Sequence, residues 1–119
     1  MRRRFGKVIN ELAKKDDKIV LIVGDIGYGV FDDFRKEHPK KFFNLGICEQ
    51  SMIGFASGMA LEGLKPWVYT ITPFLIERPF EQIKLDIDQQ NVNVNLVGFA
   101  DYPTHLPIHA ELDGERLMK

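Results

Sequence analysis

The chain has 119 residues, with 16 Lys plus Arg against 17 Asp plus Glu, a formal net charge of −1. That length suits one domain around one core, and 45% hydrophobic with 28% charged residues is a globular rather than a disordered composition. The even charge excludes a basic nucleic-acid arm, no apolar run nears the ~20 residues that span a bilayer, and the lone Cys48 excludes an internal disulfide.

Phe5, Val8, Ile9 and Leu12 recur at i, i+3, i+4 and i+7, which predicts a helix over about residues 2–15. Ile19 to Val23 is a short, β-branched, wholly apolar run and reads as a buried strand. Gly24, Gly27 and Gly29 make the next loop permissive, and Val30 to Glu37 reads as a short helix stopped by Pro39. Phe42 to Leu45 is a second strand. After the Gly46 turn a helix is predicted from about Cys48 to Glu62, with Gly54 and Gly58 on it and Gly63 as its stop. Trp67 to Ile71 is a third strand, 74–89 a longer helix with Pro73 or Pro79 near its start, and Val92 to Phe99 a fourth strand. Strands alternating with helices predict an α/β fold, a parallel doubly wound sheet with helices on both faces. Ligands bind such sheets beyond the carboxyl ends of the strands, so the loops at 24–30, 46–50, 72–79 and 100–109 are where function is sought.

Each loop has a plain reading as well. GDIGYG (24–29) lacks both the G-x-G-x-x-G spacing and the lysine of a phosphate loop, and a strand-to-helix turn accounts for it. Glu49, in the first turn of a helix, is by residue type alone a dipole-favoured carboxylate worth about 0.3–1 kcal/mol. Cys48 beside it reads as a small core residue. Phe74 and Phe80 at helical spacing read as core, and Arg78 beside Glu77 and Glu81 as a surface ion pair of little worth. Asp101, His105 and His109 cluster near the end, where a solvated tail and a proton-handling site remain equally open. Three histidines and one cysteine give no zinc-ligand spacing. The N-terminal arginines precede no apolar stretch, so they are not a secretory signal, and one cysteine suits a reducing compartment; a cytoplasmic protein is expected.

Taken together, FFNLGICEQSMIGFASGMALEGLKP (42–66), TPFLIERPFEQI (72–83) and Pro103-Thr104-His105 resemble the pyrimidine-binding domain of the transketolase family, which uses thiamine diphosphate. The likeness runs from about Phe5 to His109. It implies that Glu49, the Glu of Gly-Ile-x-Glu, binds N1′ of the aminopyrimidine and controls the proton on which activation of the cofactor depends. A carboxyl in a buried, rigid helix start suits that task, because burial disfavours its charged form and lets it share a proton. The resemblance makes Phe74 and Phe80 the aromatic wall on that ring, and brings Arg78 near a position that meets substrate phosphate. It assigns Asp101 to sugar contact. DYPTH (101–105) and LPIH (106–109) offer two registers for the catalytic histidine, so His105 and His109 are both named. Tyr102 replaces the family's glycine there.

The resemblance also implies a partner. The family's Gly-Asp-Gly motif with a later Asn, which holds Mg²⁺ and the diphosphate on a second domain, has no counterpart here; Gly24-Asp25 is followed by Ile26. The magnesium is therefore expected on a separate diphosphate-binding domain or subunit. The chain reads as a single domain, 1–119, truncated at its C-terminal end relative to the family. The expected assembly is an oligomer, at least a dimer, that transfers two-carbon ketol units between sugar phosphates, with this chain inactive alone. The alternative is a truncated, non-catalytic α/β domain serving binding or assembly. Neither nucleic acid nor a membrane is an expected partner.

Overall fold

The computed structural model describes residues 1–99. Its elements are α1 (Arg2–Lys15), β1 (Ile19–Val23), α2 (Asp32–Glu37), β2 (Phe42–Asn44), α3 (Glu49–Leu61), β3 (Lys65–Ile71), α4 (Thr72–Ile76), α5 (Phe80–Gln82), a π-helical segment (Ile83–Asp88) and β4 (Asn95–Phe99). The four strands form one parallel sheet in the order β2-β1-β3-β4. This is the expected α/β architecture.

All five residues of β1 are buried, because helices cover both faces of the sheet. The pleat sends Ile19, Leu21 and Val23 to one face, where they pack with Ile9 and Ala13 of α1, Phe34 of α2, and Tyr69. Ile22 points the other way and joins Val68 of β3, Met52, Ile53 and Ala56 of α3, Leu75 of α4, and Ile83. The chain leaves β1 toward β2 on one side and, after crossing back through α3, leaves β3 toward β4 on the other. The carboxyl ends of β1 and β3 thus flank the point where the winding reverses, the usual position of a ligand crevice.

Two readings of the sequence need correction. The helix predicted over 74–89 is broken: α4 ends at Ile76, α5 begins after Pro79, and the next six residues wind as a π-helix. Pro73 sits in the first turn of α4, where its missing N–H does no harm, and Pro79 is the N-cap of α5. The face of α1 is also rotated. Gly6, Ile9, Asn10 and Ala13 are its buried residues, while Val8 and Leu12 are exposed. Gly6 explains the rotation: α1 approaches the Val30 carbonyl so closely that a Cβ at Gly6 would collide with it.

α3 ends as expected at Gly63, whose φ of +82° lets the chain reverse. The Gly63 N–H donates to the Ala60 carbonyl and the Leu64 N–H to that of Met59, both at 3.0 Å, which satisfies two carbonyls at the helix end. The outward face of α3 carries Gly54, Phe55, Gly58 and Leu61, all exposed. No helix among the described residues is long and apolar enough to cross a membrane.

Candidate functional site

Glu49 is the first residue of α3, directly after the loop that leaves β2. Its side chain is 5% exposed, a low value for a carboxylate, and burial without a partner would be expensive. The partner is Arg78, in the break between α4 and α5, whose Nη1 donates to Glu49 Oε1 at 2.9 Å. The same guanidinium lies over the ring of Phe74, with Cζ 3.5 Å from the ring centroid. Arg78 therefore does not pair with its sequence neighbours Glu77 and Glu81, as residue spacing had indicated. Among the described residues, no hydrogen bond engages Glu49 Oε2. The first turn of a 13-residue helix also favours negative charge at this position.

An open cavity of about 540 Å³ lies beside the pair, lined by Ile47, Cys48, Glu49, Gln50, Ser51 and Arg78. The Cys48 thiol is half-buried and donates to the Leu45 carbonyl at 2.7 Å, which helps fix the turn into α3. Beneath Glu49, Met52 and Ile53 are fully buried, so the helix start rests on a close-packed floor.

Of the residues singled out from sequence, Glu49, Phe74 and Arg78 meet at this place. Phe80 opens α5 and is 44% exposed. Asp101, His105 and His109 lie outside the described residues. Among the described residues, no group of three or more His, Cys, Asp or Glu side chains could hold a metal ion.

Sequence reasoning missed a second polar cluster at the same end of the sheet. Asn44, the last residue of β2, accepts through Oδ1 from the Asp25 N–H at 2.9 Å and the Gly46 N–H at 3.1 Å. Its Nδ2 donates to Asp25 Oδ1 at 3.2 Å, and the Tyr28 hydroxyl donates to the same oxygen. These bonds, Tyr28 first and Asn44 second, hold the Asp25 carboxyl below the usual carboxylate range. Asp25 has φ +51°, an uncommon backbone state for a residue other than glycine. The cluster ties the exit loop of β1 to the loop that delivers Glu49. The one available signal was a polar residue closing an apolar strand.

The donor set can be weighed against an aminopyrimidine. Such a ring needs a carboxyl toward one ring nitrogen, an aromatic face and room beside them. A 5%-exposed carboxyl with one oxygen not engaged among the described residues, the Phe74 ring and the nearby cavity meet those needs, so the residues fit.

Comparison with known proteins finds similar chains. Residues 1–116 match the family described as transketolase, pyrimidine binding domain. Over 96 residues the chain is 40% identical to a 33.6 kDa protein of the fasciation locus of Rhodococcoides fascians, covering 81% of this chain and 31% of that one. It is 43% identical over 93 residues to 1-deoxy-D-xylulose-5-phosphate synthase of Clostridium perfringens strain SM101, covering 77% of this chain and 15% of that enzyme. Among solved structures it is similar to a split gene transketolase, described as an inactive beta4 tetramer, with a TM-score of 0.75 and 35% identity over 82% of this chain and 33% of that one. The chain thus spans about a third or less of the length of each of these relatives.

Proposed function

The chain belongs to the transketolase pyrimidine-binding domain family, and from that premise we propose that it forms the aminopyrimidine half of a thiamine diphosphate site. Glu49 is the anchor. Its burial at a rigid helix start keeps water away from the carboxyl and holds it where a hydrogen bond to a ring nitrogen is strong. Phe74 offers the flat apolar face on which such a ring stacks, and Phe80 adds to that wall. When bound, thiamine diphosphate supplies an electron sink for making and breaking carbon–carbon bonds beside a carbonyl. The chain's own contribution is orientation and control of one proton.

The reaction is the transfer of two-carbon ketol units between sugar phosphates, with Arg78 and Asp101 meeting the substrate and His105 or His109 handling its protons. The diphosphate and Mg²⁺ belong to a separate domain or subunit, since the Gly-Asp-Gly motif with a later Asn that would hold them has no counterpart in this sequence, where Gly24-Asp25 is followed by Ile26. The chain alone is inactive, and it works in an assembly of at least two copies. The similar split gene transketolase, described as an inactive beta4 tetramer, supports that arrangement. So do the exposed Phe55 and Leu61 beside Gly54 and Gly58 on α3, an apolar face that lets another backbone come close.

The single observation that carries this reading is the sequestered carboxyl of Glu49 beside the Phe74–Arg78 stack. The test is to mix the full chain with a diphosphate-binding transketolase subunit, Mg²⁺ and thiamine diphosphate, and to assay ketol transfer. Transfer in the mixture, and in neither component alone, is expected. No transfer with both components folded would favour the non-catalytic domain instead.

A further inference from the structure

One guanidinium occupies two of the groups that the proposed function assigns to the cofactor ring, Glu49 and Phe74. Arg78 donates to Glu49 Oε1 at 2.9 Å and stacks on Phe74 at 3.5 Å from its centroid. A guanidinium is flat, delocalised and edged with N–H donors, so it can present to a carboxyl and an aromatic face what an aminopyrimidine presents. We infer that Arg78 is a placeholder: it fills the ring's seat while the site is empty and must swing out before the aminopyrimidine can bind. The inference rests on the reading of Glu49 as the ring's anchor.

The physical reason for a placeholder is the carboxylate itself. At 5% exposure Glu49 would lose most of its hydration with nothing in return if the seat were empty. Arg78 makes good that loss. Its own position suits exchange: the side chain is 42% exposed, and it stands where α4 has ended and α5 has not begun, beside the open cavity. Once outside, the guanidinium is a free cation at the rim, able to take an anionic group of the substrate. Ring binding and anion binding are then positively coupled through one side chain.

The test uses the full chain and a probe without phosphates, 4-amino-5-hydroxymethyl-2-methylpyrimidine, titrated by NMR against wild type, Arg78→Met and Glu49→Gln. Methionine keeps an apolar stem over Phe74 but removes the donor, and thermal melts confirm that each variant is folded. Arg78→Met should bind about tenfold more tightly than wild type, the scale of one competing charge-assisted hydrogen bond removed. The Arg78 Nε–H signal of the wild-type chain should move to that of a solvated arginine as the probe saturates. Equal or weaker binding by Arg78→Met, with Glu49→Gln weakened, would overturn the placeholder and leave the anchor standing. Unchanged binding by Glu49→Gln, or no binding by either wild type or Arg78→Met, would overturn the anchor and the placeholder with it.

Discussion

Glu49 and Arg78 stand 29 positions apart in the chain, yet Arg78 Nη1 lies 2.9 Å from Glu49 Oε1, joining the first turn of α3 to the break between α4 and α5. One partner is buried and the other is 42% exposed, so the pair falls between a surface ion pair of little worth and a fully desolvated one. Removing the arginine leaves a buried carboxylate without a partner, whereas replacing the glutamate by glutamine leaves a neutral amide. Arg78→Met should therefore lower stability by about 1–2 kcal/mol, more than Glu49→Gln does. The double variant should recover part of the loss, with a coupling of about 0.5–2 kcal/mol. Urea denaturation of the four proteins reads this directly; strict additivity would show that the pair contributes nothing to the fold.

Two glycines within helices should respond in opposite directions to the same substitution. An alanine gains about 1 kcal/mol over glycine in an exposed helix interior. At Gly58 on α3 a Cβ would have nothing of its own chain within 4 Å, so Gly58→Ala should stabilise the isolated chain by about 0.5–1 kcal/mol. At Gly6 on α1 it would meet the Val30 carbonyl oxygen, which is backbone and cannot turn aside. Overpacking of that kind costs about 1–3 kcal/mol and outweighs the propensity gain, so Gly6→Ala should lower Tm. A Gly6→Ala protein that melts above wild type would contradict the packing of α1 against the β1–α2 loop.

These two sites also mark how far the sequence could be read. The strand pattern was plain, because Ile19 to Val23 is apolar throughout and only a strand covered on both faces needs that. The α3 stop was plain too, since Gly63 follows the last apolar residue. The rotation of α1 was hidden, because the residue that sets it, Gly6, has no side chain to enter an apolar period. The π-helical turn at Ile83–Asp88 keeps an apolar spacing that an α-helix would share, and its shifted hydrogen bonds, such as the Gln89 N–H to the Lys84 carbonyl at 3.1 Å, leave no mark in composition. Glu49, Phe74 and Arg78 could be named from motifs, but their meeting depends on how α3 and the α4–α5 break cross in space. For Arg78 the nearest acids in sequence, Glu77 and Glu81, pointed to the wrong partner.

The Asp25 cluster predicts a pH dependence whose sign is fixed. The Tyr28 and Asn44 hydrogen bonds lower the Asp25 pKa in the folded state below its unfolded value of about 3.9. A group lowered in this way stabilises the fold fully above its unfolded pKa, and the contribution is lost as pH falls through the folded value. The Tm difference between wild type and Asp25→Asn should thus be constant above about pH 5 and shrink as pH drops below about 4. Asparagine tolerates the left-handed backbone at this position, so the comparison isolates the charge. A Tm difference that holds steady down to pH about 2 would show that the carboxylate does not hold the loop.

The most direct measurement is turnover of Glu49→Gln in the assembled enzyme, with the diphosphate-binding subunit, Mg²⁺ and saturating thiamine diphosphate. Glutamine keeps the size and one hydrogen-bonding oxygen but cannot release or take up a proton. A folded assembly whose kcat falls by about 10²–10⁴, the usual worth of a positioned proton-handling group, is expected. A variant that turns over at the wild-type rate would contradict the assignment of Glu49 as the anchor of the cofactor ring.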